Sequence, residues 1–125
     1  MRSWEVLLAE DVVEWFVDLT KNDPHSADLV EDAIDRLAAA GPTLDRPLVD
    51  RIKGSRHHNM KELRPGSAGT SEIRILFAFD PVRRVVLLVA GDKSGNWQHW
   101  YETAIPAADE RYDLHLTEIA RRDYR

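Results

Sequence analysis

The stretch from Glu72 to Ala90 constrains the fold more than any other part of the chain, because it holds two apolar runs separated by Asp80-Pro81. From Glu72 to Phe79 the residues alternate. Ile73, Ile75, Phe77 and Phe79 fall on one side of an extended chain, and Glu72, Arg74, Leu76 and Ala78 fall on the other, which turns Arg74 away from the core. Asp80-Pro81 with Val82 and Arg83 reads as a turn. Val85 to Ala90 is a continuous apolar run of the kind buried on both faces of a sheet. With a short candidate strand at Asn59 to Arg64 and a turn-forming loop at Pro65 to Thr70, this region predicts an antiparallel meander.

Upstream the period is different. Ser3 to Leu8 is a short apolar run that predicts a strand, and Val12, Val13, Trp15, Phe16 and Leu19 then repeat at helical spacing. Asp23 before Pro24 supplies an N-cap with proline at the first helical position. Leu29, Val30, Ala33, Ile34 and Leu37 mark the apolar face of that second helix, and Gly41-Pro42 ends it. Thr43 to His58 reads as a loop. Downstream, Asn96 to Thr103 is rich in aromatics, and Pro106 to Ala120 predicts a closing helix with Tyr112, Leu116 and Ile119 inward. The expected architecture is a single α+β domain over residues 1–125, in which two N-terminal helices cover one face of a twisted antiparallel sheet and a helix closes the chain.

Charge is distributed unevenly. Residues 1–45 carry 3 Lys+Arg against 11 Asp+Glu, residues 46–100 carry 10 against 5, and residues 101–125 carry 4 against 6. The middle of a chain with formal net charge -5 is therefore basic. A phosphate backbone responds to the local field within a Debye length of about 8 Å, so the whole-chain charge does not exclude nucleic acid. Cys is absent, which excludes disulfides, thiolate metal sites and cysteine nucleophiles. The N-terminal residues MRSWEVLLAEDVVEW lack an apolar run of signal-peptide length, and no run approaches the ~20 apolar residues that span a bilayer. The expectation is a cytoplasmic protein with no membrane partner.

Three segments carry a family resemblance: MKELRP at 60–65, EIRILFAFDP at 72–81, and LLVAGDKSGNW at 87–97 with Trp100-Tyr101 following. Together they resemble the HigB-like, phage-related branch of the RelE/ParE toxin superfamily. The resemblance implies a small RelE-like fold with the RNA site on the sheet face opposite the two helices. It also implies the toxin of a type II toxin-antitoxin system, an endoribonuclease that cuts mRNA on the ribosome, and a cognate helix-turn-helix antitoxin as partner. Neither a cofactor nor a metal ion is implied. Members with the same fold support two other functions, a ParE-like gyrase inhibitor and a catalytically silent antitoxin-binding protein.

Carried onto this sequence, the family's cleavage site matches Arg64, Arg74 and Lys93, with Lys61 a further basic candidate and Tyr101 near the position of a family tyrosine. Cleavage of this kind activates a ribose 2′-hydroxyl against the neighbouring phosphate and leaves a 2′,3′-cyclic phosphate. Guanidinium forks suit the charge that grows on phosphorus. Lys93 could serve the leaving 5′-oxygen, and Glu62, Lys61 or a histidine could act as general base. Alternation places Glu62 and Arg64 on one face of their strand and Lys61 with Leu63 on the other, which weighs against Lys61. The ordinary reading of Glu62 beside Arg64 or Arg74 is a cross-strand ion pair contributing roughly 0.2 to 1 kcal/mol.

A second basic stretch, with Arg51, Lys53, Arg56, His57 and His58, is suited to gripping RNA phosphates or to an exposed loop. Trp97 and Trp100 could stack on bases or pack into the core. Gly91 to Gly95 matches neither a dinucleotide fingerprint nor a Walker pattern and reads as a turn presenting Lys93.

Overall fold

The hairpin forms as the alternation predicts, and both its strands are buried on both faces. In the computed structural model, which describes residues 3–66 and 69–123, the elements follow in the order β1 (Glu5–Leu8), α1 (Glu10–Asn22), α2 (Pro24–Ala40), β2 (Val49–Arg51), β3 (Lys61–Leu63), β4 (Ile73–Phe79), β5 (Arg84–Asp92) and α3 (Trp97–Asp123). A short 3-10 turn, Gly41–Thr43, follows α2. The five strands make one sheet in the order β1-β5-β4-β3-β2. Of the loop expected at Pro65 to Thr70, Ser67 and Ala68 lie outside the described residues.

Each face of the sheet has its own apolar layer. Ile73, Ile75 and Phe77 of β4 and Val85 and Leu87 of β5 point toward α1 and α2, where they meet Val12, Val30 and Leu37. Leu76 and Ala78 of β4 and Val86 and Leu88 of β5 point the other way, onto Ala104, Ala108 and Tyr112 of α3. A register shift between Leu76 and Phe77 leaves the alternation of β4 intact and is absorbed in β5, where Leu88 and Val89 both pack on the α3 side. The α2 start also matches its sequence signal, since the Asp23 side chain accepts the Ser26 backbone N–H at 3.2 Å and proline occupies the first turn.

Three features differ from the sequence expectation. The sheet is mixed, because β1 joins β5 in parallel, Glu5 opposite Arg84 through Leu8 opposite Leu87. A four-residue apolar run encodes a strand but not the direction in which it pairs. The segment expected to be loop contains β2, which pairs with β3 at the sheet edge through only three residues, two of them charged. The closing helix begins at Trp97 and carries Pro106 in its interior. Proline there removes a backbone donor and ordinarily costs about 3 kcal/mol. Its ring is exposed, while burial of Ala104, Ile105, Ala108 and Tyr112 on either side of it outweighs the local penalty. No helix among the described residues is long and apolar enough to cross a membrane.

Asp80 ties the hairpin to the last helix. Its Oδ1 accepts the backbone N–H groups of Val82 (3.0 Å) and Arg84 (2.8 Å), and its Oδ2 meets the Arg84 guanidinium (2.9 Å) and His115 Nε2 (2.8 Å). Burial alone raises a carboxyl pKa, but the His115 and Arg84 contacts overcome it and hold Asp80 below the ordinary aspartate value. A depressed folded-state pKa adds stability that is complete above the unfolded value and is lost as pH falls through the folded one. Asp80→Ala is therefore expected to lower the unfolding free energy by about 3 kcal/mol at pH 7 in urea titration, leaving Arg84 and His115 without their acceptor. The deficit should narrow below about pH 4. A constant deficit down to pH 2 would contradict this account of the turn.

Candidate active site

The middle residue of β3 brings the site together. Pleating turns Lys61 and Leu63 toward α1 and α2, and Glu62 toward α3, where its side chain is only 4% exposed. Its carboxylate is met from three elements. Glu62 Oε2 accepts Arg64 Nε (3.1 Å) and Nη2 (2.9 Å), Oε1 accepts the Tyr101 hydroxyl (2.5 Å), and Arg74 Nε stands 3.9 Å from Oε1. Arg64 is held from behind as well. Its backbone N–H donates to Leu48 O (2.7 Å), and its Nη2 lies 3.1 Å from Asp50 Oδ2 on β2.

Tyr101 reaches Glu62 because the first turns of α3 press onto β5. Gly91 permits this approach, since a Cβ at that position would lie 2.5 Å from Trp100 Nε1. Trp100 meets the Tyr101 ring edge-on at 5.0 Å. Lys93 Nζ lies 6.0 Å from the Trp97 ring centroid and 5.8 Å from that of Tyr101. The result is a groove of about 380 Å³ with Glu62 and Tyr101 in its lining, Arg51, Lys53, Arg64 and Lys93 supplying positive charge, and Trp97, 54% exposed, beside it.

The electrostatics sort the groups by role. Burial pushes the Tyr101 phenol well above its usual range, and the adjoining Glu62 adds to the effect, so this hydroxyl donates at neutral pH and does not act as a base. Burial pulls the Arg64 guanidinium down, yet Glu62 and Asp50 overcome that and hold it above its ordinary value. A cation fixed in charge and plane thus sits beside a buried carboxylate and a phenol donor. Such a set can support acid-base work on a phosphate ester.

The family described as "Phage derived protein Gp49-like (DUF891)" matches residues 15–113. The chain belongs to this Gp49-like family. Two relatives from Mycobacterium tuberculosis carry the names "Putative toxin HigB2", 48% identical over 121 residues, and "Putative toxin HigB3", 55% identical over 106 residues. The chain spans only 60% of the first protein's length, with 91% of itself aligned, and 88% of the second's, with 85% of itself aligned. A free-state structure of the E. coli toxin RelE, a mutant with two arginines replaced by alanine, superposes with a TM-score of 0.58 at 10% identity, over 83% of this chain and 96% of that one. That likeness shows a shared fold, the α+β RelE arrangement expected from the sequence.

Within this Gp49-like chain the predicted residues separate into groups. Glu62, Arg64, Lys93, Tyr101, Arg51, Lys53 and Trp97 converge on the groove. Arg74 reaches the Glu62 cluster from below and not from an open face. It is 15% exposed, its Nη1 donates to Ile73 O (2.8 Å), and its Nε is buried without a hydrogen-bond acceptor among the described residues. The face expected to be open is roofed by α3. Lys61 lies on the opposite side, its Nζ 5.6 Å from the Phe79 ring centroid.

Arg56 and His57 are engaged elsewhere, on Asp113 of α3, with His57 Nε2 2.7 Å from its carboxylate and packed edge-on to Tyr112. His58 is exposed outside the groove lining. Asp50 escaped sequence reasoning, because its strand is too short to show a period.

The Tyr101–Glu62 bond gives a direct test of this geometry. Tyr101→Phe is expected to cost about 1.5 to 3 kcal/mol near pH 7 by chemical denaturation, the range for a hydrogen bond to a charged group. A phenol whose pKa is raised by folding contributes fully below its unfolded value and loses that contribution as pH climbs toward its folded value. The difference between the two proteins should thus shrink above about pH 10. Equal stability at pH 7 would mean the bond does not form in solution.

Proposed function

We propose that this Gp49-like protein is the toxin of a toxin-antitoxin pair and that it cuts mRNA on the ribosome within the Glu62–Arg64–Tyr101 groove. The observation that carries this reading is the placement of a buried carboxylate, a phenol donor and a clamped guanidinium at one end of a cation-lined groove beside an exposed tryptophan. The names of the two mycobacterial relatives support the toxin reading.

In this reading the chemistry is a transfer within the RNA strand. Glu62 Oε1 accepts one bond from Tyr101 and keeps a lone pair for the ribose 2′-hydroxyl proton. The 2′-oxygen attacks phosphorus, the bond from phosphorus to the 5′-oxygen breaks, and the departing oxygen takes a proton from the Lys93 ammonium. Arg64 opposes the charge that builds on the phosphoryl oxygens, the interaction that strengthens most in the transition state. Trp97 offers a face on which a base can stack, and Arg51 and Lys53 are free to meet flanking phosphates. Tyr101 orients Glu62 by donation. Arg74, beneath it, offsets the carboxylate's charge.

A toxin of this kind requires a partner that restrains it, and a cognate antitoxin is part of the proposal. The acidic exterior of α1 and α2, which lies within the segment of 3 basic against 11 acidic residues, is suited to a basic DNA-binding antitoxin.

The test is induction of the protein in growing cells with 5′ ends of mRNA mapped with and without translation. New ends that need translation are the expected result, and Arg64→Ala should reduce them by about 10²-fold or more while remaining folded by circular dichroism. Growth arrest with no new ends, or cuts that persist when translation is blocked, would contradict ribosome-dependent cleavage.

A further inference from the structure

We propose that Asp50 is a positioning residue for Arg64, gripping the guanidinium by its Nη2 edge so that the Nη1 edge is left for the substrate phosphate; this rests on the reading of the groove as an RNA-cleaving site. Asp50 occupies the centre of β2 with its Cα opposite that of Glu62, so the two carboxylates share one face of the edge ladder and flank the same guanidinium. Its side chain is 16% exposed.

The two Asp50 oxygens have separate tasks. Oδ1 accepts the Arg51 backbone N–H (2.8 Å) and the Arg46 Nε (3.1 Å), which fixes the rotation of the carboxylate. Oδ2 then points at Arg64 Nη2 from 3.1 Å. A guanidinium carries five N–H donors in a rigid plane. Nε and Nη2 of Arg64 both donate to Glu62, Asp50 adds an ion pair at Nη2, and Nη1 takes part in neither contact. With Glu62 alone the fork could pivot about one oxygen, since both of its bonds end on Oε2. A second carboxylate drawing on Nη2 from β2 opposes that pivot.

Asp50 does not line the groove and therefore acts through Arg64 and not on RNA. Misplacing a charge-stabilising group by a fraction of a bond length weakens the transition state more than the ground state, so the turnover step should suffer and substrate affinity should not.

The experiment uses Asp50→Asn, which keeps the shape and one acceptor oxygen but loses the charge. Ribosome-dependent cleavage by the purified protein is followed as kcat and KM separately, in the wild-type and Arg64→Ala backgrounds, with thermal unfolding as the fold control. The Arg64 side-chain nitrogens are followed by NMR, where a guanidinium fixed by its Nε and Nη2 contacts shows distinct Nη1 and Nη2 resonances and a released one averages them. The expected result is a kcat about tenfold lower with KM and Tm near wild type, no further loss when Arg64 is already alanine, and averaged Nη signals.

An unchanged kcat, or the same tenfold loss in the Arg64→Ala background, would overturn the assignment. So would Arg64 signals that stay distinct in Asp50→Asn. Absence of cutting by the wild-type protein is a separate result that overturns the reading of the groove, and the Arg64 resonances then still decide whether Asp50 holds the guanidinium.

Discussion

A carboxylate withdrawn from water must be given partners or it destabilises the fold that contains it, and Glu62 is withdrawn almost completely. Much of the molecule near the groove is arranged to supply those partners. Arg64, the residue after β3, folds back onto Glu62, and β2 adds to the sheet edge and brings Asp50 to the same guanidinium. On the other flank, Gly91 lets Trp100 sit against β5, and that contact delivers Tyr101 to the remaining Glu62 oxygen. A buried ion pair of this kind is weak evidence for stability, since desolvation offsets most of its Coulomb energy.

Other carboxylates keep α3 in place over the sheet. Asp80 joins the β4–β5 turn to His115, and Asp109, 2% exposed, accepts the Ser55 hydroxyl and the Arg56 backbone N–H. Asp113 pairs with Arg56 and His57, whose contacts hold it below the ordinary aspartate pKa. These contacts divide the basic middle of the chain into two populations. Arg46, Arg56, Arg64 and Arg84 have carboxylate partners, while Arg51, Lys53 and Lys93 line the groove without a carboxylate ion pair among the described residues. The count of basic residues along the sequence does not distinguish the second population from the first.

What could be read from the sequence was whatever local chemistry decides. The Asp80 turn between two apolar runs, the Asp23-Pro24 helix start and the separation of Glu62 from Lys61 by pleating all follow from residues close in sequence, and all three match the structure. Features set by distant contacts were hidden. The parallel direction of β1 depends on β5, nearly eighty positions away, and β2 exists because β3 offers it an edge. The start of α3 ahead of Pro106 depends on burial of Ala104 and Ile105 against the sheet. Arg64, Lys93, Tyr101 and Glu62, all named from the sequence, line one groove, whereas the burial of Arg74 depends on the roof that α3 provides.

The central claim is that the groove beneath the start of α3 receives RNA, and imaging the protein on a ribosome by cryo-electron microscopy tests it most directly. The mRNA in the complex would carry 2′-deoxy substitutions to prevent cleavage. The account predicts an mRNA phosphate within hydrogen-bonding distance of Arg64, a ribose 2′ position facing Glu62, and a base against Trp97. RNA contacting instead the acidic outer faces of α1 and α2, with the groove turned to solvent, would contradict it.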